Sequence, residues 1–373
     1  MKSSSVLIIG GGLCGLVAAL DLASKGISVV LIEKKNYPLH KVCGEYVSME
    51  VLDYVRKLGF DPFSVGAKKI DQFQLTDVQG RSFQAQLDLG GFGISRYCFD
   101  FSLYELAKQK GVQFILEDMV LSVSRDNVDC FTVKTQKGLI FQSKLVIGAF
   151  GKRSNMDKYL DRNFIKEKSP FLAYKAHYRG DFPDNLVALH NFSGGYCGLS
   201  KVETDRINLC YLCFDNRFHQ HGSFEAFHQN VLSKNPFLAD VFQNWQMDFN
   251  QPLTISQIYF KPKQRIENGM IMLGDAAGLI YPLSGNGMGM AIHSAKIASD
   301  LIVEYLKNRI SRVALEKQYS IQWQQQFNSR IQNGVFLQRF FGSTFWSSLS
   351  LQTLKVFPKA GHYFISKSHG KAI

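Results

Sequence analysis

The sequence predicts an α/β chain: a parallel sheet with crossover helices, interrupted by an antiparallel sheet and followed by a helical region. Three observations predict it. Short continuous apolar runs alternate with helical periodicity near the start, as expected for strands buried on both faces. Polar–apolar alternation replaces that pattern over residues 69–94 and 171–214. From Val313 onward the chain is helical in pattern and rich in aromatics. At 373 residues, two interleaved domains and a tail are expected. Residues 1–68, 95–160 and 262–310 fall to the first domain, 69–94 and 161–261 to the second, and 311–373 to the tail.

Residues 6–9 are a buried strand that runs straight into glycines, and residues 13–25 form a helix closed by Gly26. Residues 28–32 form a second buried strand, so the β-α-β order predicts parallel pairing with a right-handed crossover. Residues 99–110 return to helical spacing. Strands are expected at 112–116, 120–123, 131–135 and 145–149, rejoining the first sheet. A helix is expected at 223–233, a buried strand at 270–273, and a long helix from about Gly287 to Leu306.

Two motifs carry chemistry. Gly10-Gly11-Gly12-Leu13-Cys14-Gly15 is a G-x-G-x-x-G between strand and helix. Gly10 permits the turn, Gly12 lets backbone approach a pyrophosphate, and Gly15 lets helix and strand pack closely. The helix start supplies free N–H groups and the positive end of a dipole, here at Leu13 and Cys14. Eighteen residues past Gly15, Glu33 ends the second strand, where a carboxylate can accept ribose hydroxyls. These features predict a Rossmann-like dinucleotide-binding domain. The second motif runs Gly274-Asp275-Ala276-Ala277, then Pro282-Leu283-Ser284-Gly285-Asn286-Gly287-Met288-Gly289. Asp275 can accept from a ribityl hydroxyl. Amides around Gly287, Met288 and Gly289 can face the electron-rich edge of a flavin and stabilise its reduced form.

Together the motifs resemble the FAD-dependent oxidoreductases that include p-hydroxybenzoate hydroxylase and, more closely, geranylgeranyl reductase. The resemblance implies FAD along the first domain, with the flavin ring at its border with the inserted antiparallel sheet. Further segments agree: Lys41-Val42-Cys43-Gly44-Glu45, Ser95-Arg96, and the stretch from Val146 through Ala149 to Ser154. His369-Gly370 is similar to the reductase branch as well. The resemblance adds Lys34, Lys41, Cys43, Arg96, Val120 and Ala149 to the cofactor-binding residues. Phe150 stands where hydroxylases carry an aspartate associated with NADPH, and Gly278 where they place histidine; both lean toward the reductases. Tyr196-Cys197-Gly198-Leu199-Ser200 lacks the tryptophan those reductases have there. The halogenase pattern W-x-W-x-I-P is absent, since Trp245, Trp323 and Trp346 are isolated.

Composition excludes other classes. The net charge of +12 suits phosphate-bearing cofactors or an anionic membrane surface, and no nucleic-acid-binding signature accompanies it. Seven cysteines without framework spacing argue for a reducing, cytoplasmic setting. Cys210 and Cys213 lie three apart in a strand, so they face opposite ways and hold no metal; no metal site is expected. Cys43, Glu45 and Tyr196 are candidates for proton or redox work at the flavin, while His190 and His293 read as structural; the catalytic residues stay unassigned. The tail places Phe340, Phe341, Phe345, Trp346, Leu349, Leu351, Leu354, Val356 and Phe357 among Lys355, Lys359 and Lys367. That suits a helical cap over the substrate or a peripheral membrane contact. The expectation is an FAD enzyme that reduces or dehydrogenates a hydrophobic lipid- or polyketide-like molecule, with electrons from NAD(P)H or a redox protein. Flavin monooxygenase is the other reaction open, and a non-catalytic lipid escort a third reading.

Overall fold

A computed structural model describes residues 2–127, 129–260, 263–279, 286–338, 348, 351–353 and 373. In chain order the first elements are β1 (Lys2–Ile9), α1 (Leu13–Ser24), β2 (Val29–Glu33), β3 (Tyr46–Ser48), α2 (Leu52–Lys57), β4 (Lys68–Thr76), β5 (Ser82–Gly93) and α3 (Arg96–Gln109). Then come β6 (Gln113–Leu116), β7 (Val120–Asn127), β8 (Cys130–Thr135), β9 (Ile140–Gly148) and α4 (Asn155–Tyr159). Next are β10 (Phe171–Arg179), β11 (Leu186–Phe192), β12 (Gly195–Lys201), β13 (Ile207–Phe214), α5 (Asp215–His219), α6 (Phe224–Asn230) and α7 (Pro236–Asn244). The last are β14 (Gln246–Met247), β15 (Leu253–Ser256), β16 (Ile266–Glu267), β17 (Met270–Met272), α8 (Gly287–Leu306) and α9 (Arg312–Gln338).

The first sheet has the order β16-β17-β9-β1-β2-β6, with the β7–β8 hairpin added through β8 to β9. β1 lies at its centre, parallel to β2 and β9, and Val6, Leu7 and Ile8 are wholly buried. That is why the run needs no polar alternation. α1 packs against α3 and α8, and α9 packs on α8. Every residue of α1 from Leu13 to Leu22 is buried, so this helix is apolar all round rather than striped.

The second sheet has the order β14-β10-β13-β12-β11-β4-β5-β3, with β15 also on β10. Its one parallel pair among the described strands joins β4 to β11, across Leu186↔Gln72 to His190↔Thr76. Alternation along β10 sorts the faces. Leu172, Tyr174, Ala176 and Tyr178 join Phe227, Leu238 and Val241 of α6 and α7 in one core. Ala173, Lys175 and His177 take the other face, toward residues 40–45. Cys213 belongs to the α6–α7 side, whereas Cys210 pairs across to Lys175, so the two thiols do face opposite ways. All seven cysteines are free.

Several elements depart from the periodicity. α3 starts at Arg96, three residues before the expected Phe99, because Ser95 Oγ caps it by accepting from the Cys98 amide at 3.0 Å. The helix expected over 223–233 stops at Asn230 and tightens into a 3₁₀ turn, Leu232–Lys234. β9 extends back to Ile140 from the expected start at 145, gaining the partners of β8. β3 falls inside residues 1–68 yet pairs with β5 of the second sheet. Among the described residues, no helix is long and apolar enough to cross a membrane. Pro282 to Gly285, the residues singled out in the tail between Phe340 and Lys367 other than Leu351, and His369-Gly370 lie outside the described residues.

Candidate functional site

The turn between β1 and α1 is built around contacts only glycine allows. Gly10 adopts φ +104°, and a Cβ there would lie 2.5 Å from the Ala149 carbonyl oxygen. A Cβ on Gly15 would lie 2.1 Å from the Gly10 oxygen. Gly12 differs: a Cβ there would meet only Lys41 Nζ at 3.6 Å and Arg96 Nη2 at 3.8 Å. Gly12 is also the N-cap of α1 and has no side-chain cap, so the first-turn amides of Leu13, Cys14 and Gly15 have no helical acceptor. An uncapped helix start under two cations is an anion cradle.

Those cations are fixed by one carboxylate. Asp100, wholly buried, takes Arg96 Nε and Nη2 at 2.7 Å each and Lys41 Nζ at 3.3 Å. Burial works against the Arg96 charge, but Asp100 outweighs it and holds the guanidinium more firmly protonated than usual. For Lys41, burial prevails over Asp100 and lowers its affinity for the proton. Glu33, at the end of β2, accepts from the Gly11 amide at 2.6 Å and the Lys35 amide at 3.1 Å. A carboxylate offers about four lone-pair sites, so Glu33 keeps capacity for ribose hydroxyls. Tyr37 OH donates to the Gly11 oxygen at 2.5 Å and closes the turn from the other side.

The second motif meets the first through Cys14. Its thiol donates to the Ala291 oxygen at 3.0 Å and lies 3.4 Å from Ser294 Oγ, which accepts from the Gly274 amide at 3.1 Å. Burial pushes the Cys14 thiol up to about 12, so it is a packing group and not a nucleophile. Gly274, Asp275, Gly278, Gly287, Met290, Ala291, Ser294 and Trp323 line one small cavity. Asn286 caps α8 without a side-chain bond to its amides. Instead its Nδ2 donates to Glu50 Oε1 at 3.1 Å, and Arg330 of α9 donates to the same oxygen at 3.0 Å. That clamp fixes the start of α8, where Met288 and Gly289 are buried.

The structure thus gathers Gly10, Gly12, Leu13, Cys14, Gly15, Ala149, Lys41 and Arg96 around one turn, with Glu33 beside it. Asp275 and Gly287 share the cavity at the other end, and the Cys43 carbonyl accepts from Asn208 Nδ2 of β13 at 3.2 Å. Val120 is buried at the start of β7. Lys34 is exposed just past β2. His190 accepts or donates at Thr76 Oγ1, 2.9 Å away, and burial holds it down at about 3, a structural role. His293 packs edge-on to Phe327 and is lowered to about 4, first by burial and then by Arg330.

Sequence reading did not find Lys175 and His177. Both are buried on the face of β10 toward residues 40–45, and both converge on Glu45. His177 Nε2 is 2.7 Å from Glu45 Oε2, Lys175 Nζ donates to Oε1, and the Arg96 amide donates to Oε1 at 2.7 Å. Burial raises the Glu45 carboxyl, but Lys175 and His177 more than reverse this and bring it down to about 2. Glu45 also holds a left-handed backbone, φ +54°, which is costly for a non-glycine residue. His40 completes the group: the ligand atoms of His40, Glu45 and His177 lie within 4.8 Å of one another. The signal was available in one form. Lysine and histidine two apart inside an apolar strand share a face and demand a carboxylate.

The comparisons agree with this geometry. Digeranylgeranylglycerophospholipid reductase 1 of Methanococcoides burtonii is 24% identical over 358 residues, 91% of this chain and 84% of the relative. Conditioned medium factor receptor 1 of Dictyostelium discoideum is 23% identical over 378 residues, 90% of this chain and 71% of the relative. Two solved structures share the fold. The flavin-dependent brominase Bmp2 has a TM-score of 0.79 at 18% identity, covering 98% of this chain and 93% of its own. PqsL, a probable FAD-dependent monooxygenase from Pseudomonas aeruginosa, has a TM-score of 0.76 at 17% identity, covering 92% of this chain and 98% of its own. The family described as FAD binding domain matches residues 3–322, taking in both sheets and α8. The chain therefore belongs to the FAD binding domain family, with FAD as its cofactor and redox catalysis as its work.

Proposed function

We propose that the protein is a flavin-dependent reductase of carbon–carbon double bonds in a hydrophobic, prenyl-like lipid, drawing electrons from an external two-electron donor. The observation that carries this reading is a small apolar cluster on the second sheet. Ala173, Tyr196, Leu212, Ile258 and Phe260 are buried together, and Val42 and Leu279 pack against them. Val42 belongs to the Lys41–Glu45 segment, and Leu279 follows the Gly274–Asp275 turn. An apolar wall joined to both motifs suits a substrate with few polar groups. The lipid in the name of the Methanococcoides burtonii relative is of this class.

Within that reading, the amides of Leu13 and Cys14, with Lys41 and Arg96, would hold the diphosphate, and Glu33 the ribose. Asp275 and the start of α8 would hold the opposite end. Bound there, the flavin supplies hydride chemistry. The chain supplies orientation, exclusion of water and charge balance. Tyr196 stays a neutral phenol, since burial pushes its proton affinity far up, so it shapes the wall and does not act as a base. Phe150 in place of the hydroxylases' aspartate favours an electron donor other than NADPH bound in their manner.

The test is a single turnover. FAD-loaded protein is reduced anaerobically and mixed with a polyunsaturated prenyl lipid in detergent. Reoxidation of the flavin with gain of two hydrogens by the lipid is expected. Unchanged lipid, with an oxygenated product once air is admitted, would overturn the reading in favour of a monooxygenase.

A further inference from the structure

We propose that Lys175 is the proton donor of this site, recharged from solvent along a buried line of His40, His177 and Glu45. The proposal rests on the reductase reading and deepens it. Reducing a carbon–carbon double bond places a hydride on one carbon and a proton on its neighbour. The hydride and its electron pair would be supplied by bound FAD, at the expense of the external donor. The proton needs a separate source: the one proton-bearing group named in the apolar wall, the Tyr196 phenol, is made a poor acid by its burial, so the donor is sought beside the wall.

β10 arranges the groups in order. Ala173 is part of the apolar cluster. Lys175 follows two residues along on the same face, wholly buried, with Cys210 opposite it and Leu212 next along β13. His177 comes two residues further, and its ring lies 5.1 Å from the half-buried His40. Phe249 covers both rings, at 4.5 Å from His40 and 4.8 Å from His177. Glu45 bridges the middle, bound to Lys175 through one oxygen and to His177 through the other. Nδ1 of His177 and Nδ1 of His40 are buried with no hydrogen-bond partner among the described residues. A buried ammonium whose carboxylate partner also binds a histidine is more than a structural ion pair requires. A left-handed glutamate at its centre marks the arrangement as one the fold holds under strain.

In the step, the new C–H bond takes its proton from Lys175 Nζ, leaving a neutral amine. The Glu45–His177 pair restores that proton, and His40 draws the replacement from water. Lys175 is the group that meets substrate; Glu45, His177 and His40 are positioning and relay residues. The other charged groups facing this line are Arg96, whose amide reaches Glu45, and Arg206, which lies near His40 and is paired with Asp248. The same three residues, His40, Glu45 and His177, could instead ligate a metal, but Lys175 already occupies one Glu45 oxygen and His177 the other.

The experiment uses FAD-loaded protein and two kinds of readout. Histidine ¹⁵N NMR titrations follow His40 and His177 in the oxidised, substrate-free wild type, in Lys175→Met and in Glu45→Gln. Coupling predicts that the His177 titration moves up in Lys175→Met and down in Glu45→Gln. Unmoved titrations in both variants would overturn the relay, whatever the substrate. In single turnover with the prenyl lipid, Lys175→Met should slow flavin reoxidation at least about 100-fold, the usual scale of a lost general acid. His40→Ala should slow it with an enlarged solvent deuterium effect that added imidazole reverses. A wild type inactive on every prenyl lipid would defeat the reductase reading alone, since the titrations still decide the coupling. Should Lys175→Met fail to fold, the Lys175→Met/Glu45→Gln double variant, which removes both charges together, replaces it. Stoichiometric metal surviving chelation in the purified wild type would overturn the relay in favour of a metal site.

Discussion

Gly12 and Gly15 stand three residues apart in one motif, yet the space around them assigns them opposite parts. At Gly15, helix propensity alone would favour alanine by about 1 kcal/mol. A Cβ 2.1 Å from a backbone oxygen has no rotamer to escape into, and forced overpacking costs about 1–3 kcal/mol. Gly15→Ala should therefore lower stability, read as an earlier urea midpoint. Gly12→Val should keep the urea midpoint of the FAD-free wild type, because a Cβ at that position meets only Lys41 Nζ at 3.6 Å and Arg96 Nη2 at 3.8 Å. Its side chain would fill the cradle, so the purified variant should be colourless. A yellow Gly12→Val protein with full FAD content would show that the diphosphate lies elsewhere. The glycines, Glu33 and Asp275 were legible because the phosphate chemistry dictates both residue type and spacing. Lys175 and His177 were not, since their meaning depends on Glu45, 130 and 132 positions away.

Elements with strong local signals were read correctly, and those made by tertiary contact were not. β1, α1 and β2 announce themselves through apolar runs and glycines. β3 is three residues long and exists because β5 offers it an edge. α7 is an exception: Asn235 as N-cap and Pro236 in its first turn are a local signal, yet no element was expected there. At this scale the clamp of Glu50, Asn286 and Arg330 ties the 3₁₀ turn Met49–Val51 to α8 and α9. Glu50 is wholly buried and Arg330 nearly so. Removing one partner of a buried pair commonly costs about 3–5 kcal/mol, whereas removing both charges is far milder. Arg330→Met should shift the urea midpoint strongly, and Glu50→Gln with Arg330→Met should recover most of the loss. A double variant as unstable as the single one would mean that the pairing is not what holds α9 in place.

Across the whole molecule, burial holds several histidines neutral. His190 is lowered to about 3, and His40, His228 and His293 to about 4, from an ordinary 6.5, with burial the first cause in each. Unfolding lets each bind a proton between its folded and unfolded values. Stability from these groups is complete above about pH 6.5 and declines as pH falls toward 4. Near pH 5 unfolding should take up about four protons from them, set by the pH slope of the unfolding free energy. Glu45, brought down to about 2 from 4.5, adds its own loss only below pH 4.5. Urea melts at half-unit steps from pH 7 to 4.5 measure the slope. A flat profile over that interval would show that the histidines keep their ordinary proton affinity in the native state.

The strand order sets a timetable for biosynthesis. β1 leaves the ribosome before its sheet partners: its neighbour β9 ends at Gly148, and β17 beyond it ends at Met272. β4 likewise waits for β11, more than a hundred positions downstream. A nascent chain that ends before β17 has no completed crevice in which to seat its prosthetic group. Flavin capture is consequently a late, largely post-translational event, and growing cells starved of riboflavin should accumulate full-length colourless polypeptide rather than truncated fragments.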